Sequence, residues 1–270
     1  MNASPRPPLL AVALLSGAAL GYEVLLTRLL AIIQWHHFAH MIISLGLLGY
    51  GASGTFLALT GRRWAGRFTP VFAVNALLFG ITAVAAFALA QQLPFNLLEI
   101  AWERRQLGYL LALYLLLAVP FFCVANALGL ALIAHTGEIA RIYAWDLFGA
   151  GVGACAVVAL LGWLAPLAAL KTIGVLGGVA ALLALARIRG SWRWQTLAGL
   201  AALLPLLVPI QGLQLSPYKD LAQALAVKGA SGSSVSGLAD RQPALSSRRP
   251  RRGAGTGRQG WRGGAASAVP

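Results

Sequence analysis

Residues 21–54 read Gly-Tyr-Glu-Val-Leu-Leu-Thr-Arg-Leu-Leu-Ala-Ile-Ile-Gln-Trp-His-His-Phe-Ala-His-Met-Ile-Ile-Ser-Leu-Gly-Leu-Leu-Gly-Tyr-Gly-Ala-Ser-Gly. The stretch is apolar enough to sit in a bilayer, yet it holds Glu23, Arg28 and the histidines His36, His37 and His40. A charged side chain at the centre of a membrane helix costs on the order of 3 kcal/mol on insertion scales, so such residues are kept for a task or a partner. The rest of the chain reads as scaffold around this helical hairpin, or as a tail after it.

Composition sets the class. The chain is 59% hydrophobic and 10% charged, with a mean hydropathy of +0.75. A soluble domain carries about 25% charge, so the expectation is an all-α, polytopic membrane bundle embedded in lipid. The net charge of +14 does not point to nucleic acid. Seven arginines (Arg241, Arg248, Arg249, Arg251, Arg252, Arg258, Arg262) lie in the last thirty residues, and most of the others sit between apolar runs, where topology signals sit. Cys123 and Cys155 lie in separate apolar runs and make neither a disulfide framework nor a metal site.

About seven spans are expected between residues 9 and 211, after a short segment 1–8: Leu9–Ile33, Phe38–Leu59, Pro70–Ala90, Leu107–Ala134, Ile142–Leu164, Leu170–Ala186 and Thr196–Ile210. Residues 91–106 mix charge with Leu97, Leu98, Ile100 and Trp102, which predicts an interfacial helix. Pro120 is expected to kink span four, and Pro166 to end span five. With the N-terminus inside, eight arginines (Arg6, Arg62, Arg63, Arg67, Arg141, Arg187, Arg189, Arg193) face the cytosol, against Arg104, Arg105 and Lys171 outside. Such an integral, multi-pass chain belongs in a bacterial inner membrane. Its partners are membrane lipid, with a second copy or a partner enzyme as further options, and no nucleic acid.

Several polar groups inside the spans stand as candidates. Glu23 and Thr27 are four residues apart and share a face of span one, whereas Arg28 lies about 140° around from Glu23. Arg28 falls near the outer edge, where it snorkels or pairs with Glu99 or Glu103. Glu23 lies deeper, which leaves two readings: a functional polar site, or a hydrogen bond to a neighbouring helix. Asp146 opens span five and is expected beside Arg141, Arg62 or Arg63, near a positive helix end. His36, His37 and His40 form a His-His-x-x-His cluster at the turn between spans one and two; with no accompanying glutamate and no fourth ligand, they are weak metal candidates and no metal is expected. Gly49-Tyr-Gly-Ala-Ser-Gly54 matches the dinucleotide fingerprint by letters alone, since it ends a membrane span rather than following a strand. With Gly46, these glycines (Gly49 and Gly54) are read as a helix-packing ladder, as are Gly149 and Gly153 of span five.

Gly21-Tyr22-Glu23 with Thr27-Arg28, the stretch Met41–Gly54, Pro120-Phe121-Phe122 and Ile142–Ala150 together resemble the membrane half of spermidine-synthase-like proteins. These are polyamine aminopropyltransferase relatives in which a multi-span domain precedes a Rossmann-type domain. The resemblance covers about residues 9–229, and residues 212–229 resemble the opening of the soluble domain. It implies decarboxylated S-adenosylmethionine, an S-adenosylmethionine-derived cofactor, and a polyamine as reference substrates. The nucleotide loop and the catalytic aspartate of that family have no counterpart after Gly229, so the chain is expected to have no catalytic residue, no cofactor site and no transferase activity of its own. Two other classes compete with this reading: a transporter or channel-like bundle for a small polar or cationic solute with Glu23 at its polar site, and a structural membrane anchor.

Residues 230–270 change composition abruptly to Gly, Arg, Ser, Ala and Pro, which cannot bury a core and predict disorder. That mixture is what out-of-frame reading of a GC-rich gene yields, so the tail is expected to be a frameshift product. Translating the downstream DNA in the other two frames tests this: a glycine-rich loop after a strand, followed by acidic residues, is the expected result. No open frame of a domain's length, roughly 100 residues, would overturn it.

Overall fold

A computed structural model describes residues 7–33, 38–93, 102–186 and 192–208, the side chains of 32–33, 38–40 and 192–194 excepted. All belong to the first of two compact units, Met1–Gln223. The tail 230–270, the turn holding His36 and His37, and the side chain of His40 lie outside the described residues.

The described chain is helical throughout. Its helices are α1 (Leu9–Ile33), α2 (Phe38–Ala65), α3 (Phe68–Ala90), α4 (Arg104–Ala134), α5 (Ile139–Leu160), α6 (Pro166–Leu185), α7 (Trp192–Ala202) and the single turn α8 (Leu204–Leu207). The first six are long and apolar enough to cross a membrane. The seventh expected span is shorter and broken. Pro205 has no N–H to offer the preceding turn, and its ring collides with that turn's carbonyl, so α7 stops at Ala202. The segment still runs back along α6: Gln195 Nε2 donates to the Leu185 carbonyl at 3.2 Å, and Lys171 Nζ donates to the Leu206 carbonyl at 3.1 Å.

Helix ends follow local chemistry. α2 continues through Arg62 and Arg63 to Ala65, because nothing in Thr60–Ala65 stops a helix; Gly66 and Arg67 then make the turn. α4 takes Arg104–Gln106 into its first turn, so of the expected interfacial segment only these and residues 91–93, a turn, and 102–103 are described. Helix α4 runs through the buried Pro120 without interruption. Pro166, rather than merely closing span five, stands at the first position of α6, where a missing N–H costs nothing.

Lipid is as apolar as leucine, so helices in a membrane associate through close packing of small residues rather than through the hydrophobic effect. The most extensive interfaces are α1–α5, α2–α4, α3–α4 and α3–α6. Gly17 of α1 lies against the Gly149 carbonyl, Gly149 against the Ala13 backbone, and Gly153 against the Gly17 backbone. The pairing advances in the same direction on both chains, so α1 and α5 are parallel. In α2 and α4 the order is again parallel: Gly49 meets Ala118–Phe122, Ser53 meets Asn126, and Gly61 meets Ile133. Gly80 of α3 faces Gly174 and Gly177 of α6 in antiparallel order, and Gly178 touches Ala202 of α7. Two parallel pairs, with three helices between α1 and α5 and one between α2 and α4, fit a chain that crosses back and forth.

The glycine ladder therefore divides. Gly149 and Gly153 pack α5 on α1, and Gly49 packs α2 on α4. A methyl group at Gly46 would lie 4.0 Å from Glu23 Oε1 and from Phe121, at ordinary contact distance. Gly54 is different: a methyl group there would meet nothing within 4 Å, so it packs against no helix. Large aromatics fill the centre, with the fully buried Tyr22 ring edge-on to Phe79 at 6.1 Å and tilted against Phe121 at 5.3 Å.

Two predictions follow from this packing. Gly153→Ala places a methyl group on the α1 backbone and is expected to destabilise the detergent-solubilised protein by about 1–3 kcal/mol, whereas Gly54→Ala costs nothing; equal thermal midpoints for the two variants would contradict the α1–α5 contact. For topology, Gly66 and Gly137 are unobstructed turn positions and Trp163 is 91% exposed. In a background lacking Cys123 and Cys155, cysteines at 66 and 137 are expected to stay unlabelled by an impermeant thiol reagent in intact cells, and a cysteine at 163 to be labelled. A different outcome at 66 than at 137 would mean a miscounted crossing.

Candidate functional site

A cavity of about 380 Å³ opens between α1, α2, α4 and α5. Each helix contributes residues at helical spacing. From α1 come Ser16, Leu20 and Glu23, at i, i+4 and i+7. α2 gives Tyr50, Ser53, Gly54 and Leu57, again one face of one helix. α5 gives Tyr143, Asp146 and Ala150, while α4 closes the cavity with small and apolar groups, Ala125 and Gly129 among them.

The structure thus brings Glu23 and Asp146 to one cavity. This corrects the expected neighbourhood of Asp146. Arg141 is five residues away on the same helix, roughly 140° around the axis, and its guanidinium instead pairs with Glu138 at 3.2 Å. Asp146 is turned toward α1 because the Gly149 and Gly153 face of α5 is buried there; Ser16 Oγ donates to the Asp146 backbone carbonyl at 2.9 Å, fixing the register. Glu23 stands seven residues beyond Ser16, about 10 Å further along α1. The two carboxyls therefore occupy different levels of an elongated cavity. Tyr50 of α2 lines the same cavity as both.

The carboxyls stand out by what they lack. One carboxyl oxygen of Asp146 is buried without a hydrogen-bond partner among the described residues. Among the described residues neither carboxyl has an ion-pair partner, and the salt bridge there is that of Arg141 with Glu138. Arg28 is exposed and forms no ion pair with Glu103, while Glu99 lies outside the described residues. Thr27 does share a face with Glu23, but its Oγ1 donates to the Glu23 backbone carbonyl at 2.9 Å, not to the carboxyl.

Several other polar groups in the spans find partners within the bundle. Ser53 Oγ, on the cavity wall, donates to Asn126 Oδ1 across α2 and α4 at 2.8 Å. Thr55, Thr60, Thr82 and Thr172 donate to carbonyls one turn back in their own helices. Among the described residues, no group of three or more His, Cys, Asp or Glu side chains lies close enough to hold a metal ion. Two separated carboxyls and two phenols beside an apolar α4 wall are groups that can complement positive charge on a small organic molecule.

Ser16, Tyr50, Ser53, Asn126 and Tyr143 were not singled out by sequence reasoning. A partial signal is the helical spacing of polar residues inside an apolar run, as in Tyr50 and Ser53, three residues apart on one face of α2. No protein-family model, no curated protein and no solved structure matches this chain.

Proposed function

We propose that this chain is the membrane domain of a spermidine-synthase-like protein, and that the domain's own task is to hold a small organic cation between Glu23 and Asp146. The observation that carries the second half is the cavity: Glu23 lines it with no ion-pair partner among the described residues. A scaffold or anchor would tie Glu23 to a neighbouring helix; a solute site leaves its carboxyl facing the interior. Burying an acidic group in a membrane without a partner is expensive, and a cationic ligand supplies the missing compensation. The family half rests on the resemblance of residues 21–54 and 142–153, whose Glu23 and Asp146 are the two carboxyls of the cavity. In that reading the membrane is a bacterial inner membrane, an S-adenosylmethionine-derived cofactor belongs to a soluble catalytic domain, and this chain alone performs no aminopropyl transfer. A transporter is the second reading, favoured by the same unpaired Glu23.

The test uses the full chain in lipid nanodiscs and radiolabelled putrescine, a small diamine. Saturable binding is expected. Glu23→Gln and Asp146→Asn should each weaken it at least tenfold, while Thr27→Val, whose hydroxyl serves its own helix, should leave it unchanged. Binding that survives the double Glu23→Gln, Asp146→Asn variant would remove the cavity from the account.

A further inference from the structure

We infer that a second cavity, between α2 and α3, is a binding groove for one acyl chain of an anionic phospholipid, with Arg67 at the headgroup. The groove has a volume of about 460 Å³. α2 and α3 are joined by a tight turn yet barely touch along their length, and α4 forms the floor between them. Its walls are mostly apolar, with Phe56, Trp64, Val71, Val74, Phe122 and Leu130 among the lining residues. The two carboxamides on its walls are engaged within the protein. Asn75 Nδ2 donates to the Val71 carbonyl at 2.9 Å, and Asn126 Oδ1 accepts from Ser53 at 2.8 Å. What remains to be covered is hydrocarbon surface.

Length and charge identify the occupant. From Arg67 at the turn, the groove reaches Val74 seven residues along α3, about 10 Å. On α2 it reaches Phe56, nine residues before Ala65, about 13 Å. One leaflet of hydrocarbon is about 15 Å deep, so the groove accommodates a chain entering from one interface and stopping short of the midplane. At its mouth stand Arg67 and Trp64, with Arg62 and Arg63 exposed on the last turn of α2. Residues 38–90 contain no carboxylate, and Arg67 has no ion pair among the described residues. The carboxylate of the α4–α5 turn, Glu138, is taken by Arg141. A phosphate is the chemistry that complements a cluster of guanidinium groups, and basic pockets between membrane helices bind anionic lipid headgroups. A free phosphate ion would leave the apolar groove uncovered, so the source is a lipid.

The measurement is native mass spectrometry of the full chain released from detergent, with phosphatidylglycerol or phosphatidylcholine of identical acyl chains added. Phosphatidylglycerol is expected to form a one-lipid adduct at a concentration at least tenfold lower than phosphatidylcholine. Arg67→Gln should abolish that preference, Arg67→Lys should restore part of it, and Arg141→Gln, a charge loss elsewhere, should leave it intact. Val74→Trp fills the groove and should remove the adduct; retention of a thermal midpoint within a few degrees shows that the variant is folded, and Arg67→Gln decides if it is not. Millimolar inorganic phosphate should not displace the lipid. Equal adduct formation by the two lipids, a preference unaffected by Arg67→Gln, or displacement by inorganic phosphate would each overturn the assignment.

Discussion

The backbone contact between α1 and α5 is the constraint on which the site depends. Ala13 and Gly17 on one helix meet Gly149 and Gly153 on the other with no side chain between them. Helices that approach this closely cannot slide without collision, because each backbone sits in the notch left by the other's missing Cβ. The register so fixed places the Ser16 hydroxyl under the Asp146 carbonyl. It also turns Asp146, three residues before Gly149, into the cavity that Glu23 lines about two turns beyond Ser16. A looser α1–α5 pair would leave the two carboxyls on separate lipid-facing helices. The acidic cavity is thus a consequence of glycine packing, and the two cannot be separated.

Elsewhere the bundle follows the rule that a polar group in lipid must find a partner. Threonines return their hydroxyl to their own helix, Asn75 does the same with its amide, and Ser53 reaches across to Asn126. Each such bond is worth only about 0.6 kcal/mol on average in membrane proteins, but an unmade one costs more. Against that background, the buried oxygen of Asp146 and the unpaired carboxyl of Glu23 are exceptions concentrated in one place. The Tyr22 hydroxyl is a further unpartnered buried atom, set among Phe79 and Phe121 outside the cavity lining. A phenol there adds the area and edge contacts of an aromatic ring, which offset a lost hydrogen bond of roughly 1–3 kcal/mol.

How far the sequence could be read follows from the physics of each element. The span Leu9–Ile33 coincides with α1 at both ends, because a continuous apolar run bounded by proline and polar residues leaves no other choice. Hydropathy ends span two at Leu59, because arginines mark an interface, yet they are good helix formers, and α2 runs on to Ala65. Hydropathy also makes the last segment a full span, being blind to Pro205, which breaks the helix. Glu23 was legible as a candidate from cost alone. Its partnership with Asp146 was not, since hydropathy gives each helix a depth and no neighbour. Only the α1–α5 interface supplies that neighbour, and the choice of α1 over α2 or α4 as the partner of Gly149 and Gly153 depends on the shapes of all the helices at once.

The same limit explains why one glycine pattern performs two opposite tasks. Gly149 and Gly153 let backbones touch; Gly54, written in the same letters, opens space beside Tyr50 and Ser53. A missing side chain is closed up by a helix when a helix is opposite, and left as volume when none is. Gly54 is exposed, about 100° around α2 from Ser53, which is buried against α4 and bonded to Asn126. A methyl group at Gly54 meets nothing within 4 Å, so its missing side chain is left as cavity. On the neighbouring face α2 and α4 are held close: Leu57 fills the notch at Gly129, Ser53 bonds Asn126 at 2.8 Å, and Phe56 is tilted against Phe122 at 5.7 Å. A small residue therefore makes a tight contact where its face meets another helix and empty volume where its face meets none, and the acidic cavity lies beside the α1–α5 and α2–α4 contacts rather than within them.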